Sequence, residues 1–196
     1  MSNDRIDVPP GKLAAVVTSL EMFSRPLLRP EHLDPDWHLQ HVQQPDLGWF
    51  RDLFRRVGLN WLWFSRLQMS DTSLASIIHH PAVSVYSLQI EERDEGLLEL
   101  DFREPDVCEL SFFGVTQELI GTGAGRWLMN RAIEIAWSHP IRRFWVHTCT
   151  CDHPSALPFY IRSGFTAFHR HIEIVSDPRV DGSLSREDAP HIPIIS

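Results

Sequence analysis

Residues 115–129, VTQELIGTGAGRWLM, decide how this chain is read. Gly121, Gly123 and Gly125 stand at every second position between a run with strand character (residues 107–115, VCELSFFGV) and a run with helical periodicity (residues 125–137, GRWLMNRAIEIAW). The pattern is strand, glycine loop, helix. Glycine admits positive φ and close approach of the backbone to a ligand, while the first N–H groups of the following helix lack intrahelical partners and lie at the positive end of its dipole. Such a loop suits a phosphate. A P-loop is excluded, because no Lys-Ser or Lys-Thr pair follows and Lys12 is the only lysine. The two-and-two spacing also fails the G-x-G-x-x-G dinucleotide fingerprint, and no acidic residue ends a second strand about twenty residues on. A glycine-rich turn without a ligand is the alternative that this stretch alone leaves open.

The surrounding composition bounds the answer. A chain of 196 residues, 43% hydrophobic and 22% charged, suits one domain with its own core, expected over residues 1–196. The formal charge of −8 argues against nucleic acid, since phosphate contacts need a dense basic face. It is compatible with a cationic amine through long-range steering. No basic-then-apolar start and no run of about 18 apolar residues occurs, so neither a signal peptide nor a membrane span is expected, and the location expected is cytoplasmic. Cys108, Cys149 and Cys151 fall in expected strands at neither disulfide-framework nor C-x-x-C spacing, and read as reduced thiols. Cys149 and Cys151, two apart on one strand face beside His147 and His153, read as strand packing; no metal is expected.

Periodicity places the remaining elements. Residues 13–20 form a first strand after a loose lead, and residues 24–46, broken by Pro26, Pro30, Pro35 and Pro45, an irregular surface segment. Residues 47–69 form an amphipathic helix bent near residues 58–60, followed by a short helix over residues 72–79 capped by Asp71. Strands over 83–90 and 97–103 form a hairpin about the turn at 91–96, and a second hairpin leads into 107–115. The helix after the glycine loop then returns the chain to a parallel strand at 144–150, strand 165–175 closes the sheet, and residues 177–196 form a tail ordered only if it docks. Residues 13–82 would carry the first strand and the helices, and residues 83–176 the core around the glycine loop.

Two stretches in order then resemble one family. Residues 115–128 are similar to the acyl-CoA loop of the GNAT N-acetyltransferases, with Val115, Gly121, Gly123 and Gly125 in register. Residues 156–165, ALPFYIRSGF, resemble the family's second motif, with Ala156, Tyr160, Gly164 and Phe165 in place. The resemblance implies a GNAT fold, an α/β protein of the α+β type: a mixed, mostly antiparallel central sheet with helices on both faces and a parallel strand pair that splays after the glycine loop. It implies acetyl-CoA as co-substrate and an amine as acceptor, and it allows a homodimer. The CoA-binding residues carried over are Phe113, Val115, Ile120, Gly121, Thr122, Gly123, Ala124, Gly125, Arg126, His153 and Tyr160. Two positions depart from the family pattern: Ile120 replaces the usual Arg or Gln, and His153 the usual Asn.

Acyl transfer to an amine needs a base for the ammonium, donors for the developing oxyanion and an acid for the thiolate. By resemblance, Glu109 is the general base and Tyr160 the general acid, with a phenol pKa of about 10 suited to protonating a thiolate near neutrality. Even spacing sets Glu109, Ser111, Phe113 and Val115 on one strand face unless a bulge intervenes. His147 on the next strand is a second base candidate. The chain is accordingly expected to be an N-acetyltransferase, the alternative being a non-catalytic or regulatory acyl-CoA-binding module.

Overall fold

Apolar residues alternating along the chain build seven strands: β1 (Lys12–Met22), β2 (Trp37–His41), β3 (Val83–Ile90), β4 (Arg93–Asp101), β5 (Val107–Val115), β6 (Arg143–Cys149) and β7 (Thr166–Ser176). The computed structural model describes residues 5–32 and 34–196; residues 1–4 of the expected loose lead lie outside them. The strands form one sheet in the order β2-β3-β4-β5-β6-β1-β7, antiparallel throughout except for β5 and β6. That parallel pair is joined through α3 (Ala124–Ser138), the helix-length crossover that parallel strands require.

Helices cover both faces. On one, α1 (Leu47–Gly58) and α2 (Asp71–Ile78) bury Phe50, Leu53, Phe54, Val57, Leu74 and Ile78 against Val83, Val85 and Leu97. On the other, α3 and α4 (Ala156–Arg162) bury Leu128, Ala132, Ile133 and Tyr160 against Leu20, Leu98, Leu110, Phe144 and Val146. Each large apolar side chain so buried stabilises by about 1.5–3 kcal/mol, several times an exposed ion pair, so these two layers hold the fold. Among the described residues, no helix is long and apolar enough to cross a membrane.

The differences from the sequence reading have local causes. The long helix expected to residue 69 ends at Gly58. A 3-10 turn (Leu59–Trp61) follows, and Leu62 at φ 54° reverses the chain so that the Trp63 ring lies against Gly58, where a Cβ would sit 2.3 Å from it. The second helix is capped by Ser70, whose side chain accepts from the Ser73 N–H; Asp71 is its first residue and pairs with Arg51 at 2.7 Å. The proline-marked segment contains β2, because nine residues between Pro35 and Pro45 are free of proline and Trp37 and Leu39 share one face beside β3. The β3–β4 turn is only Glu91-Glu92, both at positive φ (49° and 63°), so β4 starts four residues before the expected position. Cys149 ends β6 and Cys151 lies in the turn beyond it, so the two cysteines do not share a strand. The strand from residue 12, expected only as the first strand, is inserted between β6 and β7.

The tail docks. The Arg179 side chain, completely buried, donates to both carboxylate oxygens of Asp177 at 3.0 and 2.8 Å. Its other terminal nitrogen donates to the carbonyls of Asp188, Ala189 and Ile192. Ala189 and Ile192 then pack with Leu13 and Leu62.

Candidate functional site

The parallel pair explains the position of the site. Residues of β5 and β6 pair at Val107 with Arg143, Cys108 with Phe144 and Glu109 with Trp145, and pairing stops there. Beyond that point β5 stays bound to β4 as far as Val115, while β6 stays bound to β1 as far as Cys149. The strands therefore splay, and a cavity of about 660 Å³ opens in the gap. Its walls include Leu110 to Val115 of β5, Val146 and His147 of β6, and Ala156, Phe159 and Tyr160 of α4.

At the outer end of the cavity the glycine loop shows why its spacing is two and two. The N–H groups of Thr122 and Ala124 are used within the loop: the Thr122 N–H donates to the Leu119 carbonyl at 3.3 Å, and the Ala124 N–H donates to the Thr122 hydroxyl at 3.3 Å. Gly121, Gly123 and Gly125 line the cavity, and among the described residues their N–H groups find no acceptor. Gly121 and Gly123 hold φ of 87° and 103°, values that strain any other residue. Gly125 is helical, and a Cβ on it would meet nothing within 4 Å. Three free N–H donors at the N-terminus of a 15-residue helix form a cradle whose charge and shape fit a pyrophosphate. Ile120, 38% exposed, lines the cradle without a polar group, in the place where the family pattern carries Arg or Gln. Thr122 and Ala124 support the loop and do not line the cavity.

Gly125→Val is therefore a cleaner test of this cradle than a substitution at Gly123, which would add backbone strain. The variant should fold with an unchanged melting temperature and, in contrast to the native chain, should gain no stability from CoA in thermal melts. Equal stabilisation of both proteins by CoA would remove the loop from the binding site.

Inside the gap, Tyr160 is 7% exposed and packs edge-on against Phe113 (6.3 Å), Phe159 and Phe165. Burial, with a smaller push from Asp152, raises its phenol above the usual value, so the proton stays on the oxygen throughout the working pH range. His153 also lines the cavity; its Nδ1 accepts from the Ser155 N–H at 3.0 Å, and its ring meets Trp61 edge-on at 4.9 Å.

Glu109 is displaced from the position expected. A bulge between Glu99 and Leu100 skips Ser111, so Leu110 faces Leu100, Phe112 faces Glu99 and Phe113 faces Leu98. Glu109 consequently shares a face with Phe112, opposite Phe113 and Val115, and does not line the cavity. It stands behind His147, whose Nδ1 is 3.7 Å from its Oε1 and which does line the cavity. Burial first, then the charges of Asp101 and Glu99, push its carboxyl up to about 7, against the pull of Arg66 and Arg103. Glu99 is itself completely buried and held by Arg66 at 2.5 Å.

Several wall residues went unrecognised in the sequence. Arg29, from the segment between β1 and β2, and Arg162, from the last turn of α4, line the same cavity as Arg126. Asp152 accepts from the Thr148 hydroxyl (2.7 Å), the Cys149 N–H (2.8 Å) and the Trp63 indole (3.3 Å), tying the loop after β6 to the loop after α1.

Comparison with known proteins agrees with this geometry. Residues 61–165, more than half of the chain, match the model of the Acetyltransferase (GNAT) family. No curated protein matches the sequence. Among solved structures, a GCN5-related N-acetyltransferase from Sphaerobacter thermophilus superposes with a TM-score of 0.59 at 11% identity, over 86% of this chain and 52% of that one. An aminoglycoside acetyltransferase from an uncultured soil metagenomic sample gives 0.56 at 18% identity, over 72% of this chain and 96% of its own. A conserved protein of unknown function from Staphylococcus epidermidis gives 0.55 at 14% identity, and this chain spans 64% of its length. At these identities the structures speak for the fold alone. The family match over residues 61–165 carries the assignment, and the chain belongs to the GNAT acetyltransferase family.

Proposed function

We propose that this chain is an acetyl-CoA-dependent N-acetyltransferase that acylates a primary amine by direct attack in a ternary complex. The observation that carries the reading is the alternation in the glycine loop, with three glycines whose N–H groups have no acceptor among the described residues lining the same cavity as Tyr160. The pyrophosphate would be held by Gly121, Gly123, Gly125 and Arg126, and the pantetheine arm by the backbone of Phe113 to Val115. When bound, acetyl-CoA supplies the acyl group and the thiol leaving group.

The chain's own groups supply the proton transfers. His147, at the cavity wall, takes the ammonium proton, and the ionised Glu109 carboxylate 3.7 Å behind it balances the imidazolium charge; that carboxyl, pushed up to about 7, ionises near neutrality. Tyr160 gives a proton to the leaving sulfur, and the proton shed by the acylated nitrogen restores the phenol. A phenol held in an apolar pocket is a weaker acid than in water, but a thiolate in the same pocket is raised in the same way, so the transfer remains favourable.

Withdrawal of Glu109 from the wall also fits a module that binds acyl-CoA without turnover. Release of free thiol from acetyl-CoA with a panel of primary amines distinguishes the two. Turnover should rise with pH in kcat/KM for the amine, with an inflection near 7 from Glu109, because the carboxylate must be ionised to balance the proton that His147 takes. In Glu109→Gln that inflection should vanish, leaving only the ionisation of the amine itself. CoA binding with no thiol release on any amine would favour the binding module, and the same inflection in both proteins would remove Glu109 from the proton path.

A further inference from the structure

Most arginines of this acidic chain are spoken for. Along α3, Arg131 holds both Glu31 and Glu134 and Arg25 reaches Glu134, and at the start of β6 Arg143 holds Glu21. Arg29, Arg126 and Arg162 differ: among the described residues none of them pairs with a carboxylate, and all of them line the cavity at its glycine-loop end. They come from separate elements, the segment after β1, the first turn of α3 and the last turn of α4. The segment after β1 is fastened to α3 by hydrogen bonds from Arg126 to the Pro30 carbonyl (3.0 Å) and from Asn130 to the Arg29 carbonyl (2.9 Å). The fastening fixes the Arg29 backbone beside the loop and leaves its guanidinium unengaged.

Like charges brought together without a counter-ion repel. After its own partial burial, the charges of Arg126 and Arg162 hold the Arg29 guanidinium below the ordinary arginine value. A fold that keeps such a cluster has a place for an anion. The pyrophosphate is already provided for by backbone N–H groups and Arg126, whereas the guanidinium forks of Arg29 and Arg162 suit the non-bridging oxygens of a terminal phosphate.

We propose that Arg29 and Arg162 form a clamp for a phosphomonoester at the mouth of the cavity, the 3′-phosphate of a CoA thioester, with Arg126 left to the pyrophosphate. The site would then select CoA donors over donors that carry only the phosphopantetheine arm. Arg29 also gives the cradle the cationic side chain that Ile120 lacks. The inference rests on CoA being the ligand of the glycine loop, and its test separates the two.

Calorimetric titration of the full chain with CoA, with dephospho-CoA and with inorganic phosphate reads the clamp without any turnover. CoA should bind roughly ten to a hundred times more tightly than dephospho-CoA, with the gap closing as salt rises, because charge-assisted contacts at an open mouth are screened. Neither the Arg29 nor the Arg162 side chain is needed elsewhere in the described contacts, so Arg29→Ala/Arg162→Ala should fold with an unchanged melting temperature. It should bind CoA and dephospho-CoA alike, at the native affinity for dephospho-CoA. Inorganic phosphate should weaken CoA binding by the native chain and leave that of the double variant unchanged. Equal binding of CoA and dephospho-CoA by the native chain, or a preference for CoA that survives in the double variant, overturns the clamp and leaves the glycine loop as a CoA site. Binding of neither compound overturns the CoA reading, and the clamp with it.

Discussion

Arg179→Ala should lower stability by about 3–5 kcal/mol, because removing one partner of a buried ion pair strands the other. The stranded group is Asp177, whose carboxylate is 2% exposed and loses both forks at once. Three tail carbonyls lose their donor in the same step. Residues 177–196 should then detach and become the first site of limited proteolysis. Arg179→Lys keeps the charge but cannot serve Asp177 and the carbonyls together, so its loss should be intermediate. The hydrogen bonds from Arg179, against the opposing effect of burial, hold the Asp177 carboxyl below the usual carboxylate range. A carboxyl depressed in the folded state stabilises above its unfolded pKa of about 3.9 and loses that contribution as pH falls through its lower folded value. The native chain should therefore shed the tail in acid below about pH 4. A denaturation midpoint for Arg179→Ala equal to that of the native chain would mean that the tail contributes nothing to the fold. The effect reaches the cavity, since Ala189 packs with Leu13 and Leu62, and His191 meets Trp61 at 5.6 Å, all on or against its wall.

The legible part of this fold is the local part. Glycines at every second position, a period of two before them and of three to four after them, and the Tyr160-to-Phe165 spacing lie within single stretches of chain, so strand, loop and helix could be read directly. What could not be read depends on partners distant in sequence. The insertion of β1 between β6 and β7 is set by pairings such as Leu20 with Val146, which no periodicity announces. The bulge that withdraws Glu109 arises in the pairing of β4 with β5 and leaves no mark in the residues around Glu109. Leu62 in the left-handed region belongs to no turn signature; it is favoured because the Trp63 ring fills the space left by Gly58 and Gly114. Arg29 sits in a proline-rich stretch that reads as surface loop, and only its fastening to α3 brings it to the site.

Tyr160→Phe removes one oxygen from the gap between β5 and β6 and should cost turnover about 10²- to 10⁴-fold, the usual contribution of a general acid. The ring remains, with its edge contacts to Phe113 (6.3 Å), Phe159 (5.7 Å) and Phe165 (6.0 Å), so packing changes little. The side chain is buried and, among the described residues, its hydroxyl is not held by another side chain, so deletion strands no partner there and stability should stay within about 1 kcal/mol of the native value. The affinity for CoA should be unchanged, because the cradle at Gly121 to Gly125 is untouched. The loss should therefore fall on kcat, with KM for acetyl-CoA steady, the pattern of an interaction made only in the transition state. A further readout separates proton donation from packing: an acyl donor whose thiol is more acidic leaves without help, so with that donor the gap between native and Tyr160→Phe should narrow. If the variant loses the same factor with both donors, Tyr160 positions the thioester and the leaving sulfur takes its proton from elsewhere. Full turnover in Tyr160→Phe would remove the tyrosine from the chemistry.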